Sequence, residues 1–161
     1  MTTICLILSA ALVLVNTVTE PVITEAASER TNESMRSLIP GATGFEAIDL
    51  SGYDGLPTTI REIYNTENDA GYLFISAVNG YSGEITIVCA IDDDRIIDLS
   101  TLSHSETQGI GTVIEQESFL AMFRNTAQTL DGVDTVTGAT ISTGAYIGAV
   151  ADIFTAYGIV R

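Results

Sequence analysis

The sequence is poor in positive charge. Its 161 residues include six arginines, one histidine and no lysine, against 21 aspartates and glutamates. The net charge of −15 would repel nucleic-acid phosphates, which argues against a nucleic-acid partner. Electrostatic adsorption to anionic lipid is disfavoured for the same reason. Because 46% of the residues are hydrophobic and only 17% are charged, the body of the chain is nevertheless expected to fold.

Cysteine is also scarce, and the two cysteines lie far apart. Neither Cys5 nor Cys89 belongs to a CxxC or Cys/His cluster, so zinc and iron–sulfur sites have no support. Cys89 lies within the apolar run 85–91 and is expected to be a small buried side chain. The turn Asp92–Asp94 lacks the further ligands of a calcium loop, so we predict a solvated turn and no metal site.

Long apolar runs are few, and the clearest one is Ile4–Val18 at the amino terminus. It is shorter than the roughly 20 residues that cross a bilayer squarely, although the flanking threonines could extend a tilted span. We predict a transmembrane anchor over residues 1–20. A cleaved signal peptide and a buried core helix remain alternatives. No Arg or Lys precedes the run, so charge does not predict its orientation.

The rest of the chain is predicted to contain a linker over residues 21–65 and a folded domain over residues 66–161. The linker is helix-compatible until Pro40 and Gly41, and a first strand is possible near its end. Alternating apolar residues and turn signals predict further elements. These are strands over 72–78, 84–91, 95–102 and, briefly, 133–136, a short helix over 118–124 and a helix over 142–157 that ends at Gly158. The predicted fold class is α+β, a small mostly antiparallel sheet with flanking helices behind one amino-terminal transmembrane helix.

The most informative stretch, residues 134–144, combines a strand end, a Gly–Ala turn and a helix start rich in hydroxyls. Thr140, Ser142 and Thr143 fall at or near the start of this helix, where unpaired N–H groups and the helix dipole favour an anion such as phosphate. Gly138 would let a ligand approach the backbone closely. Ordinary capping of the helix by Ser or Thr is the commoner use of such residues. From the residues alone, both interpretations stay open.

Asp134-x-x-Thr137-Gly138-Ala139-Thr140 resembles the flavinylation motif, Asp-x-x-Ser/Thr-Gly-Ala-Thr, of the FMN-binding domain family. That family includes the G subunit of the Rnf ion-translocating oxidoreductase and the C subunit of the sodium-pumping NADH:quinone oxidoreductase. Residues 71–74, 80–85 and 104–111 are similar to segments of the Rnf protein in the same order. Gln108 and Ile110 depart from the Pro and Leu that members often carry. Thr43 follows a second Gly–Ala pair, but it lacks the Asp and the preceding hydroxyl, so it is not the predicted site.

The resemblance implies FMN joined through its phosphate to Thr140 by a flavin transferase that uses FAD. Asp134, Thr137, Gly138 and Ala139 would be recognition and turn residues, and Ser142 and Thr143 would donate hydrogen bonds to the phosphoester. The resemblance implies two further kinds of cofactor-binding residue. His104 would have a structural role beside the flavin. Nearer the ring or ribityl chain would lie Glu106, Thr107 and the backbone from Gly109 to Gly111.

The function implied by the resemblance is electron transfer within an Rnf-type ferredoxin:NAD oxidoreductase coupled to Na⁺ or H⁺ translocation. The chain would be one subunit of this translocase rather than a catalyst alone, bound to other membrane subunits. Its FMN domain would lie on the extracytoplasmic side of the cell membrane. Two alternatives are a stand-alone extracytoplasmic flavin electron carrier and a non-redox membrane-tethered interaction subunit.

Overall fold

One five-stranded antiparallel sheet organises the chain in the computed structural model, which describes residues 33–161. The strands follow one another in space in chain order. They are β1 (Phe45–Ala47), β2 (Ile60–Thr66), β3 (Tyr72–Asn79), β4 (Glu84–Asp92) and β5 (Arg95–His104). The helical elements are α1 (residues 33–38), α2 (Glu117–Leu120) and α3 (Thr140–Val160), with short 3-10 turns at Leu50–Gly52 and Gly111–Glu115. The predicted α+β class with a mostly antiparallel sheet is confirmed, whereas the predicted anchor lies outside the described residues.

The sheet buries apolar side chains on both faces. On one face, Ile85, Ile87, Cys89 and Ile91 of β4 are fully buried and belong to the same core cluster as α3, as their period-2 alternation predicts. On the other face a smaller cluster joins apolar side chains of β3 and β4 to α1 and the residue after it. Its buried members are Met35, Leu38, Ile39, Leu73, Ile75, Val88 and Ala90. The central strands are therefore covered on both sides.

Helix α3 fills the larger core. Its buried side chains recur every three or four residues, as in Tyr146, Val150 and Ile153, which is the spacing of one helix face. The Tyr146 ring packs edge-on against Phe119, with ring centroids 5.4 Å apart. By length and composition alone α3 could cross a membrane, but half of its most apolar window is buried within the protein. Packing on the sheet accounts for its apolar character.

The turns on either side of β4 are short. Asp93 and Asp94 connect β4 to β5 with φ angles of +47° and +62°. Positive φ at both central residues is the geometry of a type I′ hairpin turn, which matches the twist of antiparallel strands. Between β3 and β4, the N–H of Gly80 donates to the carbonyl of Gly83 at 2.8 Å. Both turns fall where Gly and Asp in the sequence predict them.

Several predicted boundaries differ in the structure. No strand forms at Val133–Val136, because the N–H groups of these two valines bond to the Leu130 carbonyl and to a threonine hydroxyl rather than to a sheet neighbour. Helix α3 does not end at Gly158 but continues to Val160. Glycine costs only about 1 kcal/mol in a helix, and the neighbouring Ala156 and Tyr157 are buried. The predicted helix over 118–124 is shorter, ending at Leu120.

The folded unit also begins earlier than the predicted boundary at residue 66. Contacts define a compact unit over Ser34–Arg161. It includes β1 and β2, which lie in the stretch we predicted to be a linker, and Ile63 of β2 is buried against the main core. Pairing of β2 with β3 therefore draws this stretch into the sheet.

Candidate functional site

A cavity of about 440 Å³ lies where three segments meet. The segments are the turn between β3 and β4, the loop that follows β5, and the first turn of α3. The wall residues are Tyr81, Glu106, Thr107, Ile110, Gly111, Gly138, Ala139, Thr140, Ile141 and Ser142. Glu106 is the one charged residue in this wall.

The carboxylate of Glu106 joins the three segments. One oxygen, Oε2, accepts a hydrogen bond from the Ser142 hydroxyl of α3 at 2.6 Å. The other, Oε1, accepts from the backbone N–H of Ser82 in the β3–β4 turn at 3.0 Å. Burial alone would raise the pKa of Glu106, but the hydrogen bonds from Ser142 and from the backbone of the β3–β4 turn outweigh burial and hold the pKa below its ordinary value. Glu106 is therefore ionised at neutral pH although its residue is only 7% exposed.

Two glycines leave room for this carboxylate. A Cβ at Gly111 would lie 2.6 Å from both Cβ and Oε2 of Glu106, and a Cβ at Gly80 would overlap Oε1. A Cβ carbon does not approach non-bonded atoms so closely, so any larger residue at either position would displace the glutamate. The absence of a side chain at Gly80 and Gly111 thus positions Glu106 against Ser142.

His104 supports the same residue from outside the cavity wall. Its Nδ1 accepts a hydrogen bond from the backbone N–H of Glu106 at 3.0 Å. Its Nε2 lies 3.1 Å from Oε1 of Glu115. A neutral imidazole with the proton on Nε2 satisfies both contacts. The imidazole of His104 therefore orients the start of the loop that carries Glu106.

The first turn of α3 is not capped by a side chain. Its N-cap position is Ala139, and no side chain among residues 33–161 caps the free N–H groups there. The hydroxyl of Thr143 instead donates to the Ala139 carbonyl at 2.9 Å and accepts from the N–H of Val136 at 3.2 Å. The Thr140 side chain is exposed, and its hydroxyl makes no hydrogen bond to the part of the chain that the structure describes. An uncapped helix start beside a cavity is a site for an anion.

Comparison with known proteins identifies the family. A model of the FMN-binding domain matches residues 80–155, a range that contains every residue of the cavity wall. The G subunit of the ion-translocating oxidoreductase complex of Methanosarcina acetivorans is 30% identical over 162 aligned positions, covering 92% of this chain and 86% of the relative. The chain belongs to the FMN-binding domain family.

Two other relatives show how widely this domain occurs. The G subunit of the proton-translocating ferredoxin:NAD(+) oxidoreductase complex of Clostridium ljungdahlii is 26% identical over 129 positions, 78% of this chain and 65% of the relative. The urocanate reductase of Eggerthella lenta is 40% identical over 82 positions, which are 50% of this chain but only 13% of that protein. About half of this chain therefore resembles a small part of a larger protein.

The structure brings together most of the predicted site residues. The cavity wall includes Glu106, Thr107, Gly111, Gly138, Ala139, Thr140 and Ser142. Asp134 and Thr137 are not in the wall but lie in the turn before α3, and Gly109 lies in the exposed loop with a φ of +79°. The hydroxyls of Ser142 and Thr143, expected to donate to the phosphoester, donate to Glu106 and to the Ala139 carbonyl instead. That expectation assumed that side chains near the helix start were free, whereas a tertiary contact with Glu106 occupies Ser142 and local bonds to Ala139 and Val136 occupy Thr143.

Two wall residues, Tyr81 and Ile141, were missed in the sequence, and a third, Ile110, was expected to contribute only its backbone. Tyr81, Ile110 and Ile141 are 69%, 56% and 58% exposed, which is unusual for large apolar side chains that share one cavity. Tyr81 and Ile110 belong to segments that resemble the family, but nothing in their immediate sequence distinguishes them from core residues. Their high exposure is what marks them as site residues, and the exposure of a side chain cannot be read from the sequence.

The wall fits FMN. The cavity volume lies within the roughly 300–1,000 Å³ of small-molecule pockets. Exposed apolar side chains offer contact for a flavin ring, and the free N–H groups at the start of α3 offer donors for a phosphate. Because no cation lies in the wall, the phosphate would be held by these backbone groups and by the residue that carries it.

Proposed function

We propose that this chain is a membrane-anchored electron-transfer subunit of an ion-translocating oxidoreductase complex and carries FMN as a phosphoester on Thr140. The observation that carries the proposal is the uncapped start of α3, where Thr140 lines the cavity. Its residue is exposed and its hydroxyl bonds to none of the described residues 33–161, while the Ser142 and Thr143 hydroxyls have other partners. Membership of the FMN-binding domain family supports the identity of the cofactor.

Attachment converts the Thr140 hydroxyl into a phosphodiester. The Thr140 oxygen forms a bond to the FMN phosphorus of FAD, the pyrophosphate bond to AMP breaks, AMP leaves, and the hydroxyl proton is lost to solvent. A flavin transferase would supply this step. The chain itself contributes an accessible nucleophile and the positive end of a helix dipole, which favours the negative charge of the phosphate.

The remaining wall residues hold and shield the cofactor. Backbone N–H groups of Thr140, Ile141 and Ser142 would donate to the phosphate, since the first turn of a helix leaves such donors unpaired. Tyr81 and Ile110, on two different loops, would cover the ring and exclude water from part of it. Bound FMN supplies one- and two-electron transfer, and the protein supplies position and electrostatics. A half-open cavity suits exchange of electrons with another protein.

The surrounding complex is proposed from the relatives. The Methanosarcina and Clostridium proteins are named as G subunits of ion- and proton-translocating complexes, so we propose that other membrane subunits of an Rnf-type complex are the partners. The anchor at residues 1–20, the extracytoplasmic position of the domain and coupling to Na⁺ or H⁺ are parts of the same proposal. The urocanate reductase relative resembles half of this chain and is not named as part of such a complex, so a flavin carrier outside an Rnf-type complex is the second candidate.

The test is the mass of the mature chain. When the full chain is produced together with a flavin transferase, it should gain the mass of FMN less one water. Digestion should locate this added mass on the peptide that contains residue 140. The denatured protein should also show flavin fluorescence. Thr140→Ala should remove both signals. Thr155→Ala is the matched control, because Thr155 is an exposed threonine in the same helix whose hydroxyl donates to the Ala151 carbonyl. This variant should be modified normally.

Two outcomes would contradict the proposal. An unmodified wild-type peptide under these conditions would remove the covalent carrier altogether and leave the non-redox interaction subunit. Full flavin content in Thr140→Ala would move the attachment to another residue. Purification of the modified chain together with other membrane subunits separates the complex from the stand-alone carrier.

A further inference from the structure

A negative charge is fixed in a cavity that should receive a phosphate. Glu106 is the one charged residue in the wall, it is 7% exposed, and its two oxygens are held by Ser142 and Ser82 on different segments. A buried charge is screened by salt much less than an exposed one. The carboxylate therefore contributes to the electrostatics of this cavity under all ordinary salt conditions.

The charges in the wall do not cancel. The start of a helix carries the equivalent of about half a positive charge, whereas the Glu106 carboxylate carries a full negative charge. No arginine of the described chain lies in the wall, and Arg61, Arg124 and Arg161 are paired with carboxylates elsewhere. The one charged side chain of the wall therefore opposes the binding of a highly charged anion at the start of α3.

The two chemical forms of FMN differ in the charge of their phosphate. A free phosphate monoester carries about −1.5 to −2 at neutral pH. A phosphodiester has lost one ionisable oxygen to the ester bond and keeps a single negative charge. Glu106 would therefore repel the free cofactor more strongly than the attached one.

We propose that Glu106 makes the cavity selective for flavin joined through a diester and against free FMN. This inference rests on the proposed function, because it takes the cavity to be the flavin site. The selectivity keeps the unmodified cavity open, so that free FMN does not occupy it before the transferase acts. Glu106 is in this sense a specificity-determining residue, and its role differs from that of the ring and phosphate contacts.

The experiment measures binding of free flavins to the full-length Thr140→Ala chain, which has no attachment point. FMN and riboflavin differ only in the phosphate, and quenching of flavin fluorescence reports both dissociation constants. Thr140→Ala should bind riboflavin at least as tightly as FMN. Adding Glu106→Gln should tighten FMN binding by about tenfold, which lies between the effects that two unit charges about 4 Å apart exert in bulk water and near a protein surface. Riboflavin binding should change by less than about twofold.

Two further variants separate local charge from other effects. The first is Glu46→Gln in the background of Thr140→Ala. It also removes one carboxylate charge, but from an exposed position on β1, four strands away from β5, so the affinities for FMN and for riboflavin should stay unchanged. Ser142→Ala in that background removes the hydroxyl but keeps the carboxylate, so the ratio of the two affinities should stay that of Thr140→Ala. If thermal melting shows that the Glu106 variant does not fold, the ratios in Thr140→Ala and Ser142→Ala still decide.

Three results would overturn the inference. In the first, Thr140→Ala binds FMN about tenfold or more tightly than it binds riboflavin. In the second, Glu106→Gln folds but leaves the ratio of the FMN and riboflavin dissociation constants unchanged. In the third, riboflavin does not bind at all. Failure of the proposed function is a separate result, because it appears as an unmodified wild-type chain in the mass measurement and does not affect the ratio of free-ligand affinities.

Discussion

The same substitution, glycine to alanine, should have opposite effects at two positions of this fold. At Gly111 a new Cβ would lie 2.6 Å from Cβ of Glu106, whose carboxylate is already held by Ser142. At Gly148 a new Cβ would meet no atom within 4 Å, and the residue is an exposed position in α3. The first site is overfilled by one methyl group, whereas the second accepts it freely.

The magnitudes follow from these environments. Overfilling a packed site costs about 1–3 kcal/mol, so we expect Gly111→Ala to lower the free energy of unfolding by about 2 kcal/mol. Alanine in place of a helical glycine gains about 0.5–1 kcal/mol, because the unfolded chain loses conformational freedom and the helix is favoured. Gly148→Ala should therefore raise the free energy of unfolding by roughly that amount.

Urea denaturation of the full chain, followed by circular dichroism, measures both changes. The two midpoints should move in opposite directions with little change in slope, since neither substitution alters the surface exposed on unfolding by much. A Gly111→Ala protein as stable as the wild type would refute the close contact with Glu106. A Gly148→Ala protein destabilised by more than about 1 kcal/mol would refute the open helix position.

Two further predictions concern titration and reactivity. The folded-state pKa of Glu106 lies below the ordinary value of 4.5, so its contribution to stability is complete above pH 4.5 and is lost as the pH falls through the folded-state pKa. Denaturation midpoints measured between about pH 3 and pH 7 should therefore fall less steeply at the acid end in Glu106→Gln than in the wild type. Equal profiles would contradict this. Burial, reinforced by the charge of Asp98, raises the pKa of the Cys89 thiol. In a Cys5→Ser chain, a thiol reagent should therefore label Cys89 only after unfolding. Rapid labelling of the native chain would contradict this and show that strand β4 is accessible.

The central strands were predictable because their signals are local. Residues of β4 alternate with period 2, and Gly or Asp marks both of its ends, so its boundaries were predicted to within one residue. Strand β1, at Phe45–Ala47, has only three residues and no pattern of its own. It exists because β2 offers a free edge, which is a tertiary cause.

The candidate site, like the fold, has parts that local sequence signals predict and parts that depend on tertiary structure. The motif at residues 134–140 indicated the start of α3 and the candidate Thr140, since hydroxyls and glycine before an apolar helix are a local signal. The bond between Glu106 and Ser142 joins residues 36 positions apart, and the exposure of Tyr81 depends on where its turn lies in the finished fold. Neither follows from the order of residues along the chain.

Helix α3 both supports the core and forms one wall of the cavity. Its first turn contributes Thr140 and Ser142, and a few residues later Tyr146 and Val150 are completely buried. Opening that first turn would disturb the same element that the sheet packs against, so the wall cannot fluctuate far without partial loss of the core. On heating, the first turn of α3 should stay ordered until the domain as a whole melts, and slow local opening should be confined to the exposed loop that follows β5.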